Sequence, residues 1–81
     1  MSRLTLYTKP GCHLCEDALD ALERLRGEIA FEICERDISL DDDLQAAYFD
    51  RIPVVAVDGL ELCEFIVDED VVREALLARR A

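Results

Sequence analysis

Two cysteines three positions apart, Cys12 and Cys15, are the residues of this chain best suited to chemistry. A close thiol pair can exchange disulfides, one sulfur attacking and the other resolving the mixed disulfide, or it can supply half the ligands of a zinc ion. A zinc ribbon needs a second close pair, whereas Cys34 and Cys63 stand alone. The single histidine, His13, lies between the two sulfurs, where it cannot easily ligate an ion that both of them hold. No metal is therefore expected. Thiol-disulfide exchange is the leading reading, and a zinc-binding domain is kept as a rival.

The pair needs a scaffold to aim it. Leu4-Thr5-Leu6-Tyr7 before the motif reads as a strand, and Leu14, Ala18, Leu22 and Leu25 after it recur at helical spacing. Cys12 then falls at the start of a helix, as its N-cap. Its sulfur takes the place from which an Asp or Ser oxygen would accept the free amides of Leu14 and Cys15, at the positive end of the helix dipole. Such a site favours thiolate over thiol, and it makes the same sulfur a better leaving group when Cys15 attacks. Lys9 is the candidate supporting cation and His13 adds to it when charged, while Glu16 and Asp17 act in the opposite sense.

With 81 residues the chain is expected to form a single domain, 1–81, burying about 60% of its unfolded surface. A large partner must dock on its outside. The 19 acidic and 9 basic residues give a formal charge of −10, which argues against nucleic acid and anionic membranes as partners. Met1-Ser2-Arg3-Leu4 runs into the first strand pattern without the apolar core of a signal peptide, so a cytoplasmic location is expected. In that compartment four cysteines point to redox or metal chemistry more than to structural disulfides.

Taken in order, Arg3 to Tyr7 is an interior strand, and the first helix ends near Gly27 with Arg24 and Arg26 in its last turns. Phe31 to Arg36 is a second strand, parallel to the first through a right-handed crossover. Ser39 is the expected N-cap of a second helix, with Asp41, Asp42 and Asp43 in its first turn and Leu44, Ala47 and Tyr48 facing inward. The acidic triplet reads as a favourable helix start and not as a metal site. Val54 to Val57 and Leu60 to Phe65 flank Asp58-Gly59, a hairpin with a type I′ turn. Asp68 to Arg80 closes the chain as a third helix, with Val71, Val72, Ala75 and Leu76 within and Arg79-Arg80 at its end. Cys34 and Cys63 lie inside strands and are expected to be small buried hydrophobes, a regulatory thiol being the alternative.

This order, with Cys-x-x-Cys opening the first helix and Ile52-Pro53 just before the hairpin, resembles the thioredoxin fold in its compact glutaredoxin-like form. The segment Leu6 to Cys15 is most similar to small bacterial glutaredoxin-like proteins. The resemblance implies an α/β fold, β-α-β-α-β-β-α, with a four-stranded mixed sheet of order 2-1-3-4 and three helices. It also implies Cys12 as the attacking thiol, Cys15 as the resolving thiol and Pro53 as a cis-proline, with Ile52 offering its backbone to an extended substrate. Pro10 and Gly11 would shape the surface that the substrate touches. The dithiol is Cys-His-Leu-Cys where typical glutaredoxins have Cys-Pro-Tyr-Cys. The glycine pair that helps typical glutaredoxins hold glutathione is replaced by Glu64-Phe65-Ile66-Val67-Asp68-Glu69-Asp70, which argues against strong glutathione binding.

The function expected from residues and resemblance together is a dithiol-disulfide oxidoreductase that reduces a protein disulfide. It would be monomeric, with no cofactor beyond its own Cys12-Cys15 couple, and an external thiol reductant would reset it. A second rival is a thioredoxin-fold binding module whose dithiol is idle and whose acidic face recognises a basic protein.

Overall fold

The computed structural model describes residues 2–78. Strand β1 (Ser2–Thr8) leads into helix α1 (His13–Arg26), and strand β2 (Phe31–Asp37) follows. A 3-10 turn (Ile38–Leu40) precedes helix α2 (Asp42–Tyr48). Strands β3 (Val54–Val57) and β4 (Leu60–Glu64) and helix α3 (Glu69–Ala78) complete the chain. The sheet has the order β2-β1-β3-β4, as the resemblance implied. Strand β1 pairs parallel with β2 and antiparallel with β3, and β4 pairs antiparallel with β3.

Helix α1 is held at both ends by its own residues. Cys12 caps its start, and at its end the amide of Gly27 donates to the carbonyls of Arg24 and Leu25. Between them Cys15, Ala18, Leu22 and Leu25 are buried, at steps of three, four and three residues. Ala18, Leu22 and Leu25 of that stripe meet Leu4, Leu6, Phe31, Val55 and Val57 of the sheet and Val72 and Leu76 of α3 in the main core. Leu22 and Leu76 are fully buried, and truncating either to Ala would cost roughly 2–5 kcal/mol. Leu14, expected inside, is 45% exposed, because it lies one position round the helix from the stripe that Cys15 begins.

A second, smaller cluster sits around Cys15, Ile38 and Ile52, with Tyr7, Cys12, Leu44 and Tyr48 packed against it. This cluster holds the dithiol to the rest of the fold.

Several local expectations are corrected. Helix α2 is capped by Asp41, whose Oδ1 accepts from the amides of Asp43 (2.9 Å) and Leu44 (3.3 Å). Ser39 instead belongs to the 3-10 turn, where its amide and hydroxyl both donate to Asp37. Ala47 and Val71 are exposed, not inward. Cys34 and Cys63 are half-buried, and Cys63 packs against the main core. The hairpin turn is as read, with φ of 51° at Asp58 and 85° at Gly59. Strand β4 stops at Glu64, one residue before Phe65, and carries a bulge: Cys63 pairs with Val55 and Glu61 with Ala56, leaving Leu62 as the extra residue. Arg79 and Arg80, expected at the end of the third helix, lie outside the described residues.

Candidate active site

Each of the three α-helices begins with a side-chain acceptor aimed at free amides, and the identity of that acceptor sets α1 apart. At α2 it is the carboxylate of Asp41, and at α3 it is Asp68, whose Oδ1 accepts from Asp70 (3.1 Å) and Val71 (3.3 Å). At α1 it is sulfur: the amide of Cys15 donates to Cys12 Sγ at 3.3 Å. Cys12 has the extended backbone of an N-cap, φ −93° and ψ 111°. Its sulfur thus occupies a place that elsewhere in this chain is given to an anion. The expectation of a second amide, from Leu14, is not met.

The two thiols differ in exposure. Cys12 is half-buried and lines an open cleft of about 390 Å³, whereas Cys15 is 4% exposed. Burial pushes the Cys15 thiol above its ordinary range, and hydrogen bonding with Cys12 adds to the shift. Thr8 and the main chain of Lys9 hydrogen-bond to it in the opposite sense. The outer sulfur is accessible and the inner one is held protonated in a drier place. That division suits an attacking and a resolving thiol.

The other candidate residues are placed as follows. Lys9, Pro10 and Gly11 form the exposed wall of the Cys12 cleft, with Gly11 at φ 78°. His13 points away: its side chain is 95% exposed and its Nδ1 lies 3.6 Å from Glu16. Ile52 and Pro53 are joined by a cis peptide bond, Ile52 packing in the cluster around Cys15 and Pro53 fully buried. The far wall of the cleft is acidic, formed by Glu35 and Asp37 of β2. Among the described residues no group of three or more potential metal ligands comes together. Nor is any helix among them long and apolar enough to cross a membrane.

Sequence reasoning missed the supports of the proline loop. Tyr7 and Tyr48 stack, and the Arg51 guanidinium lies 5.1 Å from the centre of the Tyr48 ring. Arg51 also pairs with Glu61 and Glu64, two residues that a regular strand would place on opposite faces. The bulge at Leu62 brings them to one side. The Arg51 pair is the main cause that lowers the Glu61 carboxyl. The only sequence signal was a basic residue just ahead of Ile52-Pro53 and two acids in the last strand.

A glutaredoxin-like domain (DUF836) matches residues 3–77 of this chain. An uncharacterized protein of Mycobacterium tuberculosis is 34% identical, over 85% of this chain and 78% of that protein. The solution structure of protein Ne2328 from Nitrosomonas europaea superposes with a TM-score of 0.84 at 34% identity, covering 93% of this chain and 91% of that one. A mutant thioredoxin from Halobacterium salinarum, at 20% identity, shares the fold with a TM-score of 0.70 over 99% of this chain and 75% of its own. The chain belongs to the glutaredoxin-like (DUF836) family and has the thioredoxin fold.

Proposed function

We propose that this protein is a dithiol-disulfide oxidoreductase acting on protein disulfides. The observation that carries the reading is the placement of Cys12 Sγ, half-exposed and accepting the Cys15 amide at a helix start, above a buried second thiol. An N–H aimed at sulfur and the positive end of a helix both stabilise negative charge there. Cys12 is therefore the nucleophile.

In the first step the Cys12 thiolate attacks one sulfur of the substrate disulfide. A bond forms between Cys12 and that sulfur, the substrate S–S bond breaks, and the departing thiolate takes up a proton. In the second step Cys15 gives up its proton and attacks Cys12 Sγ. The Cys12–Cys15 disulfide forms, and the second substrate thiolate leaves and is protonated. Two electrons have passed from the dithiol to the substrate, and an external thiol must return them.

Lys9, Pro10 and Gly11 form the lip of the cleft that the substrate sulfur enters. Ile52 packs with Cys15 and Cys12 in the smaller cluster, next to the buried Pro53, and its main chain would pair with an extended segment of the substrate beside the sulfurs. The test is substitution at each sulfur. Cys12→Ser abolishes reduction of a protein disulfide, and Cys15→Ser accumulates the mixed disulfide. Undiminished turnover in Cys12→Ser sinks the proposal.

A further inference from the structure

Phe65 has a backbone that costs energy and a side chain that is not buried in return. Its φ is +66°, and the amide of Ile66 donates to the carbonyl of Glu64 at 2.7 Å, so Phe65 is the centre of a three-residue turn with positive φ. That turn is rare and strained for a bulky residue and free of steric cost for glycine. The ring nevertheless stays 47% exposed. Phe65 is also tied to the proline loop, its amide donating to the carbonyl of Pro53 at 2.9 Å.

Across from it stands Leu14, the apolar one of the two exposed residues between the cysteines. Leu14, Phe65 and the 74%-exposed Ile66 line a groove of about 320 Å³ whose floor is Ala18 and Ala21 of α1. Single exposed apolar residues are ordinary, but three facing one groove whose wall, Leu14, stands two residues after Cys12 and next to Cys15 are not. The rim carries Asp17 and Glu69, and Arg24, also on the rim, is paired with Glu69 at 3.4 Å.

We propose that this groove is the specificity site of the oxidoreductase, and that it takes a bulky apolar side chain of a protein substrate with a basic residue beside it. The inference rests on the reading given under Proposed function. Charge chooses the occupant. The chain carries −10 and the groove has acids on its rim, so a second copy is repelled and a cationic segment is drawn in. Glutathione brings carboxylates of its own and no bulky apolar side chain to fill the space between Leu14 and Phe65.

The test uses disulfide-linked peptides of one length whose attacked cysteine is flanked by Leu-Arg, Leu-Glu or Ala-Ala. The Leu-Arg peptide is expected to have a kcat/KM about tenfold or more above the Ala-Ala peptide. Its advantage over Leu-Glu should shrink as salt is raised. Phe65→Gly removes the ring and suits the backbone at φ +66°, so the variant folds, and the Leu-over-Ala preference should fall about fivefold or more. Equal rates for the peptides, a preference that survives Phe65→Gly, or a wild-type dimer that this variant dissociates would each overturn the inference. Docking is also read without turnover, from methyl NMR shifts of Leu14 and Ile66 on adding the reduced Leu-Arg peptide to the Cys12→Ser chain. Shifts without turnover in the wild type sink the oxidoreductase and leave the groove; turnover without shifts does the reverse.

Discussion

The rings of Tyr7 and Tyr48 stack with centroids 4.3 Å apart and planes inclined by 18°. Tyr7 stands at the end of β1, just ahead of the loop that carries Cys12, and Tyr48 ends α2, just ahead of the loop that carries Pro53. One aromatic contact therefore joins the two loops that make the site. Arg51 extends it through Glu61 and Glu64 to β4.

The hydroxyl and the ring of Tyr48 can be separated. Tyr48→Phe keeps the stack and loses the hydrogen bond that the hydroxyl donates to Glu61 at 3.0 Å, a cost of about 0.5–1 kcal/mol. Tyr48→Ala also loses the stack and the cation-π contact, and should cost roughly 2–3 kcal/mol. Urea unfolding of the two variants checks the ranking, and equal midpoints would deny the ring a structural role.

Tyr48 also sets a limit at high pH. Burial, then the hydrogen bond to Glu61 and the neighbouring Tyr7, raise its phenol from 10.0 to about 12. Above pH 10 the unfolded chain gives up this proton and the folded chain keeps it. The unfolded state then binds fewer protons, and stability falls as pH climbs from about 10 to about 12. Ultraviolet titration should find a tyrosine ionising near 12 that vanishes in Tyr48→Phe.

The resolving step should accelerate with pH. Burial is the first cause of the raised Cys15 thiol, and it persists in the mixed disulfide, where Cys12 carries no charge. From neutral pH upward, release of substrate should quicken about tenfold per pH unit until Cys15 ionises. Acid-quenched time courses of the mixed disulfide measure this. A rate flat across that range would mean that another step limits release.

Asp41 and Ser39 give a direct comparison. Asp41→Ala removes the acceptor of two amides at the start of α2 and should cost about 1 kcal/mol. Ser39→Ala removes an exposed hydroxyl bound to Asp37 and should cost only about 0.5 kcal/mol or less. Thermal midpoints in the reverse order would contradict the capping geometry.

That pair shows where the sequence is ambiguous. Residues 37, 39 and 41 are all good caps, and only the 3-10 turn, which engages Asp37, leaves Asp41 for α2. Where a local signal had no competitor it was legible: Cys12 opening α1, Gly27 closing it and Asp58-Gly59 turning the hairpin. The sheet order and the cis bond before Pro53 came from family likeness, since neither periodicity nor spacing specifies them. Leu14 was misread because a helical repeat fixes a stripe only to within a residue, and the buried stripe begins at Cys15. Arg51 and Phe65 were invisible for a different reason. Both depend on backbone irregularities, a bulge and a positive φ, that residue patterns assign to no particular position.

The bulge in β4 reaches beyond the site. By turning Leu62 and Cys63 toward the same interior while Glu61 and Glu64 gather on the other side, it breaks the even row of donors and acceptors that a free outer strand would show to a neighbouring chain. That border of the sheet is a poor template for a fifth strand. A fibre growing by strand addition would have to start elsewhere, and the kink that lets Arg51 grip two carboxylates also guards the chain against stacking on itself.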